Sequence, residues 1–161
     1  MASRGQERGV VTRAALVVLH VLSAVVGFGA IFLTGVYAGM ARRRASEAVR
    51  RYFRPGPNWA ARALYAVPVL GVVLVTTSHG ADRYAQLWVW VSLLLWTAAT
   101  ALAHAVVWPG EARIQGLLAG GGAGAAELDR ACRRVEGAAA AVDVLFVVAL
   151  VLMVARPGSG G

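Results

Sequence analysis

Lysine is missing from this chain of 161 residues, cysteine occurs once, and only eight acidic residues stand against sixteen basic ones, every one of them arginine. The single Cys132 excludes an internal disulfide and any metal site built on several thiolates, and a free structural thiol is its expected state. No nucleophile with a neighbouring base, no carboxylate pair and no metal-spaced cluster is legible, so the pattern points away from autonomous catalysis. Gly120, Gly121, Gly122 and Gly124 lack the preceding strand and the following Lys-Ser/Thr of a phosphate loop and read as a flexible hinge.

What the chain has instead is apolar length. Hydrophobic residues make up 58% of it, and its mean hydropathy is +0.63. They gather in four blocks, Ala14–Met40, Trp59–His79, Ala85–Trp108 and Gly137–Ala155, of 27, 21, 24 and 19 residues. A hydrocarbon core of about 30 Å needs roughly 20 helical residues, so each block can span. The expected fold is all-α: a polytopic membrane protein, a four-transmembrane-helix bundle in one domain over residues 1–161, with short connector helices in 41–58 and 109–136. Arg4, Arg8 and Arg13 precede the first block as they would in a secretory signal. The block is too long for a signal core and stops at Arg42, Arg43 and Arg44, the ending of a retained span.

A sequence pI near 11.2 could suggest nucleic acid. The arginines, however, sit in short connectors beside spans, where they set topology and meet anionic head groups. No nucleic-acid partner is expected. Residues 41–62 hold seven arginines and residues 109–136 hold four, whereas the opposite side has Arg4, Arg8, Arg13, Arg83 and Arg156. Positive-inside counting therefore predicts cytoplasmic connectors and both termini outside. Arginine without lysine, beside abundant alanine and glycine, matches GC-rich bacterial coding, so the bacterial plasma membrane is the expected location. Trp59 and Trp108 fall at the cytoplasmic ends of spans two and three, and Tyr84, Trp88 and Trp90 at the outer end of span three, as an aromatic belt requires. Trp96 falls near mid-membrane, where its indole N–H needs a partner or its ring a helix contact.

The first connector is expected to continue span one as a basic surface helix from Ala41 to Phe53, until Pro55, Gly56 and Pro57 break it and Asn58 caps span two. In the second, a short helix after the glycine hinge places Leu128, Ala131 and Val135 on one face and lets Asp129 pair with Arg133.

Polar residues inside the spans are few enough to weigh singly. His20, Ser23, Gly27 and Thr34 share one face of span one, and Gly35 and Gly39 add a GxxxG spacing, so this face turns toward neighbouring helices. Thr97, Thr100 and His104 share a face of span three, the hydroxyls bonding back to carbonyls one turn earlier. Asp143 is the costliest, at about 2.5 to 3.5 kcal/mol for a carboxylate near the centre of a span. At 1.5 Å per residue it lies about 9 Å deep, His104 about 6 Å and Arg62 about 5 Å from the same side. Asp143 can thus meet Arg62 as structural glue, meet His104 as a proton-handling pair, or take up a proton. His20 and His104 lie too far apart in depth to clamp one haem iron. Haem on His20 alone, or a metal shared by His20 and His79, stays open as a cofactor reading, while the first expectation is no cofactor.

Leu19-His20 opening span one, then Pro109, Gly110, Glu111, Ala112, Arg113 and Ile114, the glycine hinge, Arg133-Arg134, Asp143 and the closing Leu152-Met153-Val154-Ala155-Arg156-Pro157 form an ordered series across all four spans. In this series the chain resembles the bacterial family of predicted integral membrane proteins known as domain of unknown function 2269. The resemblance implies four membrane helices and no established activity, and it marks His20, Pro109, Glu111, Arg113 and Asp143 as family-pattern residues. The chain departs from that pattern at Val26-Gly27-Phe28-Gly29, where the family often has an aromatic before the glycine, and at His104. Leu19-His20 followed by small residues is also similar to one helix of bacterial copper-resistance membrane proteins and of haem-binding membrane protoporphyrinogen oxidases, which is what motivates a haem- or metal-binding redox or maturation role. The leading expectation is a non-catalytic accessory or interaction subunit, its partners anionic lipid head groups and another membrane protein or a second copy. Transport is disfavoured by the absence of an inverted repeat.

Overall fold

Two prolines and one serine decide how the four apolar blocks become helices. The computed structural model describes residues 2–43, 46–77, 87–120 and 124–155, with side chains from residue 9 onward. These hold helices α1 (Ala2–Arg43), α2 (Glu47–Tyr52), α3 (Trp59–Arg62), α4 (Ala66–Thr77), α5 (Leu87–Leu102), α6 (Trp108–Ala119) and α7 (Ala125–Ala155). Four segments are long and apolar enough to cross a membrane, and among the described residues there is no strand. The fold is the all-α polytopic bundle that the apolar blocks imply.

The first connector differs from expectation. The described part of α1 ends at Arg43, and a separate helix starts at Glu47, because Ser46 accepts the Val49 N–H at 3.4 Å as an N-cap and Glu47 complements the positive end of the new dipole. Instead of extending span one, α2 folds back on α1, with Tyr52 stacked on Tyr37 at 4.1 Å between centroids. Gly56, at φ 137, reverses the chain between Pro55 and Pro57, a conformation that favours glycine. Asn58 caps α3 as expected, accepting the Ala61 N–H at 3.2 Å.

Span two is not one regular helix. A 3-10 turn, Ala63–Tyr65, joins α3 to α4 three residues ahead of Pro68. Proline supplies no N–H to the carbonyl four residues back, that of Leu64. Trp96 supplies it instead, donating from Nε1 at 3.1 Å and giving the mid-membrane indole the partner it needs.

The second proline was expected to open a connector, yet the helix runs through it. A π turn, Ala103–Val107, immediately precedes α6, in which Pro109 takes a first-turn position where a missing N–H costs little. Span three therefore continues as a rod of 33 residues, about 50 Å long. Since the hydrocarbon takes about 30 Å of it, the part beyond Trp108, with Glu111, Arg113 and Gln115, stands outside the core. Likewise α7 is one unbroken helix of 31 residues, joining the expected short connector helix to span four.

Helix α7 packs along α1 and α5, and α4 packs on α1. Gly35 and Gly39 serve this contact inside the bundle: a Cβ on Gly35 would lie 2.8 Å from Ala139 Cβ, and one on Gly39 3.0 Å from Glu136 Oε1. Helices α4 and α5, though successive in the chain, do not pack closely on each other. The large, fully buried side chains, among them Ile31, Leu64, Val107, Ile114, Val135 and Val142, crowd the half of the bundle that carries the connectors. We call this the connector end, and the opposite one the terminal end.

Candidate functional site

At the connector end, α1, α2 and the turn before α3 bring three polar side chains together. Thr34, 1% exposed, donates from Oγ1 to the Ala30 carbonyl at 2.9 Å and lies 2.7 Å from the Tyr52 hydroxyl. Asn58 Nδ2 donates to both oxygens at 3.5 Å. A cavity of about 390 Å³ adjoins them, walled by Tyr52, Asn58, Gln115 and the buried Glu111. Burial pushes the Glu111 carboxyl above its ordinary range, against the opposing pull of Asn58 and Arg62. It also raises the Tyr52 phenol, against the hydrogen bond from Thr34. Thr34, Tyr52 and Asn58 thus form a hydrogen-bonded latch that holds α2 against α1.

Outside this latch the connector end is charged. Arg42 at the end of α1 bridges two carboxylates of α7, Asp129 at 3.0 Å from Nε and Glu136 at 2.7 Å from Nη1. Arg133 joins Asp129 on the same helix, as the spacing predicted, and Arg113 pairs with Glu127 at 2.8 Å. Leu128, Ala131 and Val135 do share the face that packs into the core.

Neither expected partner reaches Asp143. The Arg62 guanidinium lies over the rings of Trp59 and Trp108, at 5.7 and 5.3 Å from their centroids. His104 Nδ1 lies 3.5 Å from the Tyr65 hydroxyl, and its ring meets Trp108 edge-on. Matching depth did not mean matching direction. His104, exposed at the start of the π turn, faces Tyr65 and Trp108, and Arg62 turns along the same aromatic surface. Asp143 is half-buried on α7 and makes no hydrogen bond or ion pair among the described residues. Of the remaining family-pattern residues, Pro109 opens α6, Glu111 walls the cavity and Arg113 makes its exposed ion pair.

His20 lies at the other end of the bundle, half-buried and facing Gly71 of α4. Its Nδ1 has no hydrogen-bond partner, and neither has Ser92 Oγ of α5, 3% exposed. Ser92 is a residue that sequence reasoning missed. Its signal was its register with Trp96, Ala99 and Ala103, one helix face in which it is the only hydroxyl. Tyr52 was missed as well, and Ser46 ahead of Glu47 was the cap signal that would have placed it. His79, Arg44, Arg83, Tyr84, Gly121, Gly122, Arg156 and Pro157 lie outside the described residues, as do the side chains of Arg4 and Arg8. Among the described residues no three of His, Cys, Asp and Glu gather as a metal site.

Residues 14–157 match the family model described as predicted integral membrane protein, domain of unknown function 2269, and the chain belongs to that family. No curated protein and no solved structure matches it.

Proposed function

We propose that this integral membrane protein is a non-catalytic accessory subunit of a bacterial plasma membrane, its connector end in the cytoplasm and both termini outside. The observation that carries the reading is a rigid basic platform. Arg42, Arg113 and Tyr52 fix the connector helices to the bundle, while Arg43, Arg50, Arg51, Arg54 and Arg134 remain exposed at the same end, without a carboxylate partner among the described residues. A fixed array of this kind meets anionic head groups at roughly 1 kcal/mol per arginine near the surface. It also offers complementary charge to an acidic face of a neighbouring membrane protein.

A photoactivatable side chain at the exposed Ala48 of α2 tests the interaction in native membranes. A defined cross-linked partner or second copy is expected, and recovery of monomer alone overturns the reading. Orientation is tested in a Cys132→Ala background by labelling Ser46→Cys and Gly9→Cys with an impermeant maleimide. Intact cells should label the second and not the first.

A further inference from the structure

The terminal end is packed quite differently from the connector end. Beyond the stacked rings of Phe28 and Phe146, 4.1 Å apart, α4 and α5 do not pack closely on each other, and two adjoining hollows of about 320 Å³ each open between the helices. Both are lined by His20, Val67, Ser92, Trp96 and Met153. One runs down to Phe28 and Phe146, and the other runs outward to Arg13 and Trp88. Of the four buried side-chain polar atoms without partners among the described residues, His20 Nδ1 and Ser92 Oγ belong to residues lining both hollows, whereas Trp108 Nε1 and Thr100 Oγ1, the latter without its expected bond to a carbonyl one turn earlier, lie outside them. Val67 presents its carbonyl to the His20 ring, but without forming a hydrogen bond to Nδ1.

Space beside the imidazole is set by Gly71, where a Cβ would stand 3.3 Å from Cε1 and 3.8 Å from Nδ1. A buried polar group left unsatisfied costs about 1–3 kcal/mol, and hydrocarbon offers no water to relieve it. Two such groups, one on α1 and one on α5, in an otherwise apolar hollow large enough for a ring, have the make-up of a small-molecule site.

We propose that this hollow binds the head of a lipid-soluble quinone or quinol. The flat ring lies against Trp96, and its oxygens are held by His20 on one side and Ser92 on the other. Its apolar tail leaves between α4 and α5 into the bilayer. Imidazole and hydroxyl can each donate or accept, so the same pair satisfies the carbonyl oxygens of the quinone and the hydroxyls of the quinol. A carboxylate or phosphate head fits poorly. The nearest cation, Arg13, is two helical turns from His20, about 10 Å along α1, and an anion beside Ser92 would stay uncompensated.

The full-length protein in lipid nanodiscs, titrated with ubiquinone carrying a single isoprene unit, tests this by tryptophan quenching and by thermal unfolding. Saturable quenching and a raised melting temperature are expected. His20→Ala and Ser92→Ala should each weaken binding about tenfold, the loss of one hydrogen bond, and Gly71→Ala should weaken it by crowding the imidazole. Ser92→Ala carries the sharpest readout: it removes an unsatisfied hydroxyl, so the ligand-free protein should melt at a higher temperature while the quinone-induced shift shrinks. A merely structural serine would move both in the same direction.

Three results would overturn the proposal. One is quenching that never saturates and is unchanged in both variants. Another is equal stabilisation by an alkylbenzene of the same length, which has no oxygen to be read. The third is a Soret band from haem-supplied cells that His20→Ala abolishes, with no quinone binding to the haem-loaded protein.

Discussion

Trp96 donates its indole N–H to the Leu64 carbonyl at 3.1 Å, and Pro68, four residues after Leu64, leaves that carbonyl without its helical donor. One bond thus ties α5 to the first half of span two, although α4 and α5 do not pack closely on each other. Trp96→Phe should cost about 1–3 kcal/mol, the value of leaving a buried carbonyl unmet. In a Pro68→Ala background Leu64 regains a backbone donor, and the same substitution should cost much less. A double-mutant cycle read by denaturant titration in detergent measures the difference, and equal costs in both backgrounds would disprove the link.

Gly27 is where α1 touches backbone. A Cβ there would lie 2.7 Å from Leu64 N and 3.0 Å from Leu64 Cα, atoms that cannot step aside as a side-chain tip can. Gly27→Ala should destabilise by about 1–3 kcal/mol or more, as overpacking does. Gly29→Ala, with nothing within 4 Å of the new atom, should be neutral or slightly stabilising through helix propensity. The pair of melting temperatures checks the contact, because the two glycines stand on the same helix with a single residue between them and differ in what faces them.

Glu111 gives the connector end a pH dependence of definite sign. Burial raises its carboxyl above the ordinary value near 4.5, so the folded protein holds this proton more tightly than the unfolded chain. Its contribution is fully present below the unfolded pKa and is lost as pH rises through the raised one. Glu111→Gln should therefore remove part of the fall in stability over that interval, and the gap between variant and parent should shift in the variant's favour with rising pH. Parallel stability curves for the two proteins from pH 4 to 8 would contradict it.

Cys132 is fully buried on α7, and burial pushes its thiol up to about 11. At pH 8 the thiolate fraction is then about one in a thousand, against roughly a quarter for a free cysteine. Maleimide labelling of the folded protein should be slow, and it should become fast in denaturant along the same transition that circular dichroism follows.

The spans could be read from the sequence because bilayer thickness alone fixes how long an apolar helix must be, and the small polar face of α1 could be read because its period is that of the helix itself. Asn58 and the Asp129–Arg133 pair are local in sequence and were equally legible. What escaped were features set by missing N–H groups and by rotation. The run through Pro109 follows a π turn that no periodicity announces, and His104 within it meets Tyr65 and Trp108 instead of Asp143. Tyr52 meets Thr34 across 18 positions only because Ser46 starts a new helix. Ser92 is an ordinary serine until the fold buries its hydroxyl beside the hollow with no partner.

The uneven packing of the bundle also makes it mechanically one-sided. Its connector half is filled with large buried side chains and clamped by Arg42 to α7, whereas the terminal half encloses open volume where α4 and α5 do not pack closely on each other. A membrane protein answers a change in hydrocarbon thickness by tilting or shifting its helices. Shifts of that kind find room in the terminal half, where the hollows lie. A change in the width of the hollow beside His20 would then follow a change in the lipid around it, and with it the fit of the proposed ligand.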